Sequence, residues 1–185
     1  MACPSCIGVV GIGYMGRSIV AAILAHAGPT TQVICYDKSE TAEEKCRNYV
    51  KAGIEELVDR VSTYSAATSD GWETRLTFVG SLAEFSPCDF VIESVFEDFD
   101  LKQSVFDIIE AAVGPEVSIA SNTSAIPITE LQKSRKVPGR FLGMHMMAPV
   151  QVSRFLEVVR GEMTQEGALD PAMQLGKAMG KEPTR

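Results

Sequence analysis

A chain of 185 residues with 45% hydrophobic content can bury an ordinary core and fits a single domain, taken as residues 1–185. Its 24 acidic residues outnumber its 17 basic ones for a formal charge of −7, and the basic residues are scattered, which argues against nucleic acid as a partner. No stretch approaches the roughly 20 apolar residues that a membrane-spanning helix needs, and MACPSCIGVVGIGYMG at the N-terminus has no basic flank or cleavable apolar segment, so a cytoplasmic protein without a membrane partner is expected.

CIGVVGI (6–12) has the continuous apolar character of a buried strand, and YMGRSIVAAILAHAG (14–28) has helical spacing that stops on Gly28 before Pro29. QVICYD (32–37) predicts a second strand, and a long helical stretch with interleaved Glu and Lys/Arg runs from Ser39 to Ser65. AATSDGWET (66–74) has the composition of a loop, RLTFVG that of a short third strand, and CDFVIESVF (88–96) that of a fourth. LKQSVFDIIEAAV (101–113) is amphipathic and ends at Gly114-Pro115, and VSIASN (117–122) follows as a fifth strand. A short helix near 127–133, strands RFLGMHMM (140–147) and FLEVV (155–159), and a last helix around 165–179 complete the pattern. Strands separated by helices imply crossover connections, hence an α/β, doubly wound, mostly parallel sheet covered on both faces.

GIGYMG places Gly11, Gly13 and Gly16 at the G-x-G-x-x-G spacing between that first strand and helix. Asp37 ends the next strand 21 positions after Gly16, near the interval of about 20 that marks a dinucleotide-binding turn. Gly11 permits the tight turn, Gly13 lets a pyrophosphate approach the backbone, and Gly16 lets the helix pack on its strand. Ile12, Tyr14 and Met15 complete a turn whose N–H groups, with the positive end of the helix dipole, suit phosphates. Asp37 can accept from ribose hydroxyls and would repel a 2′-phosphate, so NAD is expected over NADP; the neighbouring Lys38 softens that preference.

Five cysteines (Cys3, Cys6, Cys35, Cys46, Cys88) at irregular intervals predict reduced thiols. Cys3 and Cys6 form a C-x-x-C pair, but no second Cys/His pair follows at finger-like spacing, so no metal is expected. The sequon Asn122-Thr123-Ser124 would matter only in a secreted protein.

GMHMMAPV (143–150) contains His145, one of only two histidines. Two readings stand: a core histidine with a satisfied ring, or a proton-handling group. Glu157, a carboxylate in an apolar strand, is costly to bury without a partner, and 12 positions from His145 it can meet the ring only across neighbouring strands.

ESVFEDFDLKQSVF, SNTSAIPIT and GMHMMAPVQVSRFLEVVRGEMT, together with GIGYMG, resemble the 3-hydroxyacyl-CoA dehydrogenase family from the first glycine to the end of the chain. The resemblance implies that His145 and Glu157 are a catalytic pair and that Ser124 bonds both substrate and cofactor. It implies that Glu97 and Lys102 contact the nicotinamide side of NAD or the substrate, and that Asn122 contributes nearby. Competing readings are a helix start in solvent for Glu97 and Lys102, and a turn or helix cap for Ser124.

Three departures qualify the resemblance. Ala148 stands where the family has an asparagine that contacts the nicotinamide or orders the site, and it can make no such bond. The stretch VSTYSAA lacks the lysines that meet the CoA phosphates in the family, which points to a hydroxy acid without CoA as an alternative substrate. The family's helical C-terminal domain should begin just after Pro183, so the expectation is an N-terminal cofactor-binding portion with weak or no turnover, homodimeric when full length. A catalytically impaired NAD-binding module is the remaining alternative.

Overall fold

The computed structural model describes residues 3–185; the first two residues of the expected 1–185 domain lie outside it. Strand β1 (Cys6–Val10) alternates its side chains between two apolar layers, with Ile7 and Val9 facing one and Val10 the other. Helix α1 (Tyr14–His26) packs on the first layer through Ile19, Val20, Ile23 and Leu24, and closes at Gly28, whose φ is 101°. Strand β2 (Gln32–Tyr36) lies parallel to β1 and is followed by α2 (Ala42–Arg60). Past α3 (Trp72–Arg75), β3 (Leu76–Phe78) forms the outer edge, and β4 (Phe90–Glu93) pairs with the other side of β1. Helix α4 (Phe99–Ala112) covers the second layer with Phe106 and Ile109; Asp98 caps it by accepting from Leu101 N–H at 2.8 Å.

Strand β5 (Ser118–Ser121), the short α5 (Ile128–Gln132), β6 (Phe141–Met146), β7 (Phe155–Arg160), α6 (Asp170–Ala178) and β8 (Glu182–Thr184) complete the chain. One sheet results, in the order β3-β2-β1-β4-β5-β6-β7-β8. The order reverses direction at β1, where consecutive crossovers leave on opposite sides, and a crevice opens there beyond the strands' carboxyl ends. No helix among the described residues is long and apolar enough to cross a membrane.

Several elements differ from the sequence expectation. The long helix ends at Arg60 instead of Ser65: Val61 and Thr63 are β-branched, and Tyr64 turns back to give its hydroxyl to Ala25 O at 2.9 Å and set its ring edge-on to His26. The expected loop 66–74 contains the start of α3, where Trp72 and Arg75 are buried. The Arg75 guanidinium donates to Leu24 O in the last turn of α1 and to Gly28 O and Thr31 O in the turn that follows. The last helix begins at Asp170 rather than near 165. Strand β7 runs antiparallel to β6, because no helix intervenes to reverse the chain. Strand β8 was not anticipated; it is three residues long with Pro183 at its centre, as an edge tolerates. Lys181, buried just before it, donates to Val150 O and Ser153 O and anchors the β6–β7 turn.

The first turn explains two glycines differently. A Cβ on Gly16 would lie 1.9 Å from Gly11 O, whereas one on Gly13 would meet nothing within 4 Å. Gly16→Ala should therefore cost at least about 1–3 kcal/mol of unfolding free energy, read by urea denaturation. Gly13→Ala should change stability by under about 0.5 kcal/mol while weakening NADH binding, since its methyl group would enter the space a pyrophosphate needs.

Candidate active site

The crevice at the strand ends is a cavity of about 650 Å³. The glycine turn contributes Gly11, Gly13, Tyr14 and Met15, and the end of β2 contributes Tyr36, Asp37 and Lys38. Gly11 has φ 85°, and its missing side chain lets the turn lie against the Ser94 backbone, 2.7 Å from where a Cβ would stand. Asp37 is tethered: it accepts from Ile12 N–H at 2.6 Å and from Ser39 N–H at 2.8 Å. Leu101, Val105 and Ile108, on one face of α4, join Leu82 to make an apolar side that suits a planar base. The open space over Gly13, the helix start beside it, the carboxylate at the ribose position and this apolar side together fit NAD.

At the other end the wall is held by buried charge. Glu93, the last residue of β4, is fully buried; its Oε1 accepts from Lys102 Nζ at 2.6 Å and Val95 N–H at 2.7 Å, and its Oε2 from Ser121 Oγ at 2.6 Å. Burial raises the Glu93 carboxyl above the usual carboxylate range, and these donors only partly offset it. Lys102 lies on α4 with its side chain 1% exposed, and its Nζ also stands 3.3 Å from Glu97 Oε2. Glu97 Oε1 accepts from Thr123 Oγ1 and from the N–H groups of Ser124 and Ala125, at 2.5, 3.0 and 3.1 Å. Partial burial alone would raise Glu97, but those donors and Lys102 outweigh it and its pKa is lowered. The carboxylate thus fixes the loop that carries Ser124.

A second cavity, about 200 Å³, adjoins this loop and is lined by Thr123, Ser124, Gly143, His145, Glu157 and Val159 among others. His145 and Glu157 are register partners across β6 and β7, with Nδ1 2.8 Å from Glu157 Oε2. Alternation turns their neighbours Met144, Met146, Leu156 and Val158 into the core, so the polar pair faces the cavity. A neutral ring giving its Nδ1 proton to the carboxylate keeps its lone pair on Nε2, the arrangement of a proton acceptor. Asn122 Oδ1 accepts from Met146 N–H at 3.0 Å, tying the end of β5 to the strand of His145.

The sheet therefore brings Gly11, Gly13, Tyr14, Met15, Asp37, Glu97, Asn122 and Ser124 to the larger cavity, and His145 and Glu157 to the smaller; Ser124 lines both. Ile12, Gly16 and Lys102 stand behind the wall. The Ile12 side chain is in the core and its N–H is taken by Asp37; Gly16 serves helix packing. Lys102 lines neither cavity; it is buried rather than at a helix start in solvent, and its Nζ stands behind Glu97, which does line the larger cavity. Its burial follows from Glu93, and the sequence reading missed Glu93, Ser121 and Thr123. The signal was present in CDFVIESVF, where Glu93 interrupts an apolar strand just as Glu157 does in FLEVV.

The lowered pKa of Glu97 sets a pH dependence. Its bonds stabilise the fold fully above the unfolded carboxyl value of about 4.3 and are lost as pH falls through the lower folded value. Urea unfolding should show the wild type more stable than Glu97→Gln above about pH 5, with the difference closing toward pH 3.

Comparison with known proteins agrees with this geometry. The family model described as 3-hydroxyacyl-CoA dehydrogenase, NAD binding domain, matches residues 6–185. A probable 3-hydroxybutyryl-CoA dehydrogenase of Deinococcus radiodurans is 31% identical over 179 residues, covering 95% of this chain and 62% of that protein. The 5-formyl-3-hydroxy-2-methylpyridine 4-carboxylate 5-dehydrogenase of Mesorhizobium japonicum is 32% identical over 177 residues, covering 96% and 55%. The crystal structure of (S)-3-hydroxybutyryl-CoA dehydrogenase from Ralstonia eutropha superposes with a TM-score of 0.88 at 32% identity, covering 97% of this chain and 62% of that one. The chain thus spans less than two thirds of the length of these relatives. It belongs to the 3-hydroxyacyl-CoA dehydrogenase family and is an NAD-binding domain of that oxidoreductase family.

Proposed function

We propose that this chain supplies the cofactor site and the proton-transfer groups for NAD-dependent oxidation of a 3-hydroxyacyl-CoA, or a related 3-hydroxy acid, to the 3-keto product. The observation that carries this reading is the shared wall at Ser124, with the cavity lined by the glycine turn and Asp37 on one side and a His-Glu pair on the other. Asp37 and the glycine turn would hold the adenosine and pyrophosphate, and Glu97 and Asn122 the nicotinamide end. NAD, when bound, supplies the acceptor for the hydride leaving the alcohol carbon. His145 Nε2 takes the hydroxyl proton, and Glu157 keeps the ring in the right tautomer and stabilises the cation that forms. Ser124 Oγ holds the substrate oxygen. In the reverse direction the same imidazolium returns the proton.

A second reading keeps this chemistry and changes the substrate to a hydroxy acid without CoA. No lysine or arginine lines the smaller cavity, and one relative is named for a pyridine carboxylate. Following NADH formation with 3-hydroxybutyryl-CoA against free 3-hydroxy acids separates the two, and absence of turnover with intact NADH binding would favour a non-catalytic module. His145→Ala should lower turnover by about 10²–10⁴-fold and leave the NADH dissociation constant unchanged; undiminished turnover would overturn the proposal.

A further inference from the structure

We propose that Glu93 is a positioning residue: acting through Lys102, it holds the Glu97 carboxylate and hence the Ser124 loop at the junction of the two cavities. The inference rests on the reading of Ser124 and Glu97 as cofactor and substrate ground. Glu93 touches neither cavity and takes no part in proton transfer, yet it is a fully buried carboxylate, a placement that is costly without compensating donors. Those donors come from three elements that meet at the site. Ser121 ends β5, Val95 follows β4, and Lys102 stands on α4.

The direction of the linkage follows from charge. Lys102 lies between two carboxylates, 2.6 Å from Glu93 Oε1 and 3.3 Å from Glu97 Oε2. With Glu93 charged, the ammonium is held inward, and Glu97 keeps Oε1 for Thr123, Ser124 and Ala125. Removing the inner charge leaves an ammonium that is too costly to keep buried, so Lys102 swings out toward solvent and Glu97 loses the cation that holds its Oε2 while Oε1 meets the loop. Ser121 adds a second link: its hydroxyl donates to Glu93 and accepts from Thr123 N–H at 3.3 Å, within the same loop. Charge at the end of β4 is thereby transmitted to the backbone that presents Ser124.

The test uses the 185-residue chain with two readouts: NADH affinity by fluorescence titration, and hydrogen exchange at the Ser124 and Ala125 amides without ligand. Glu93→Gln should raise the NADH dissociation constant by about tenfold and speed exchange at both amides. The paired variant Glu93→Gln with Lys102→Met removes both buried charges and so should recover stability; a purely structural role predicts that NADH affinity recovers with it. Positioning predicts that affinity stays weak and exchange stays fast, because Glu97 has lost its cation. Ser121→Ala, a mild change, should speed exchange at the same amides even if Glu93→Gln does not fold. Wild-type exchange rates in the paired variant and in Ser121→Ala, or wild-type NADH affinity in the paired variant, would overturn the proposal. Failure of the wild type itself to bind NADH would instead refute the functional reading, and the exchange measurement would still decide the role of Glu93.

Discussion

The contact between the carbonyl of Gly11 and the bare α-carbon of Gly16 sets the geometry on which the remaining structure depends. It brings the first turn of α1 down onto the end of β1 at a separation no side chain could share. The start of that helix consequently faces the crevice where the crossovers diverge, and the positive end of its dipole comes with it. Asp37 then reaches back across the turn to Ile12 N–H, joining the ends of β1 and β2 through a side chain as well as through the ladder.

A different device organises the other end of the crevice. There the strands β4 and β5 finish with Glu93 and Ser121, register partners whose side chains face α4. Polar groups at such a place must be satisfied internally, and they are: one lysine, one hydroxyl and one backbone N–H fill the buried carboxylate's acceptors. Rigidity at the Ser124 loop therefore comes from ionic bonding inside the fold, whereas rigidity at the glycine turn comes from steric contact.

Most of the architecture is readable from apolar pattern, since most central strands are short continuous runs, α1 is buried all round over residues 18–25, and α2 and α4 each have one apolar face. The glycine spacing and Asp37 point to the larger cavity, which Gly11, Gly13 and Asp37 line, because each residue has a single-residue reason to be there. What escaped reading depends on contacts distant in sequence. Tyr64 ends α2 by packing on α1, Arg75 is drawn into α3 by carbonyls more than forty positions away, and β8 forms only because β7 offers an edge. Lys102 admits two readings in sequence, a contact at the nicotinamide side and a helix start in solvent, because Glu97, Asp98 and Asp100 beside it suit a helix N-terminus. Only the three-dimensional proximity of Glu93 explains why this one charge turns inward.

The hairpin of β6 and β7 has a consequence for diversification. Since His145 and Glu157 face each other through ladder register, their mutual placement is guaranteed by backbone pairing and is independent of the eight residues between the strands. That turn, pinned beneath by Lys181, can change in sequence or length without altering the register of the His-Glu pair beside it. The fold therefore separates a connection that can vary by insertion or loop grafting from the pairing that holds the two polar side chains together.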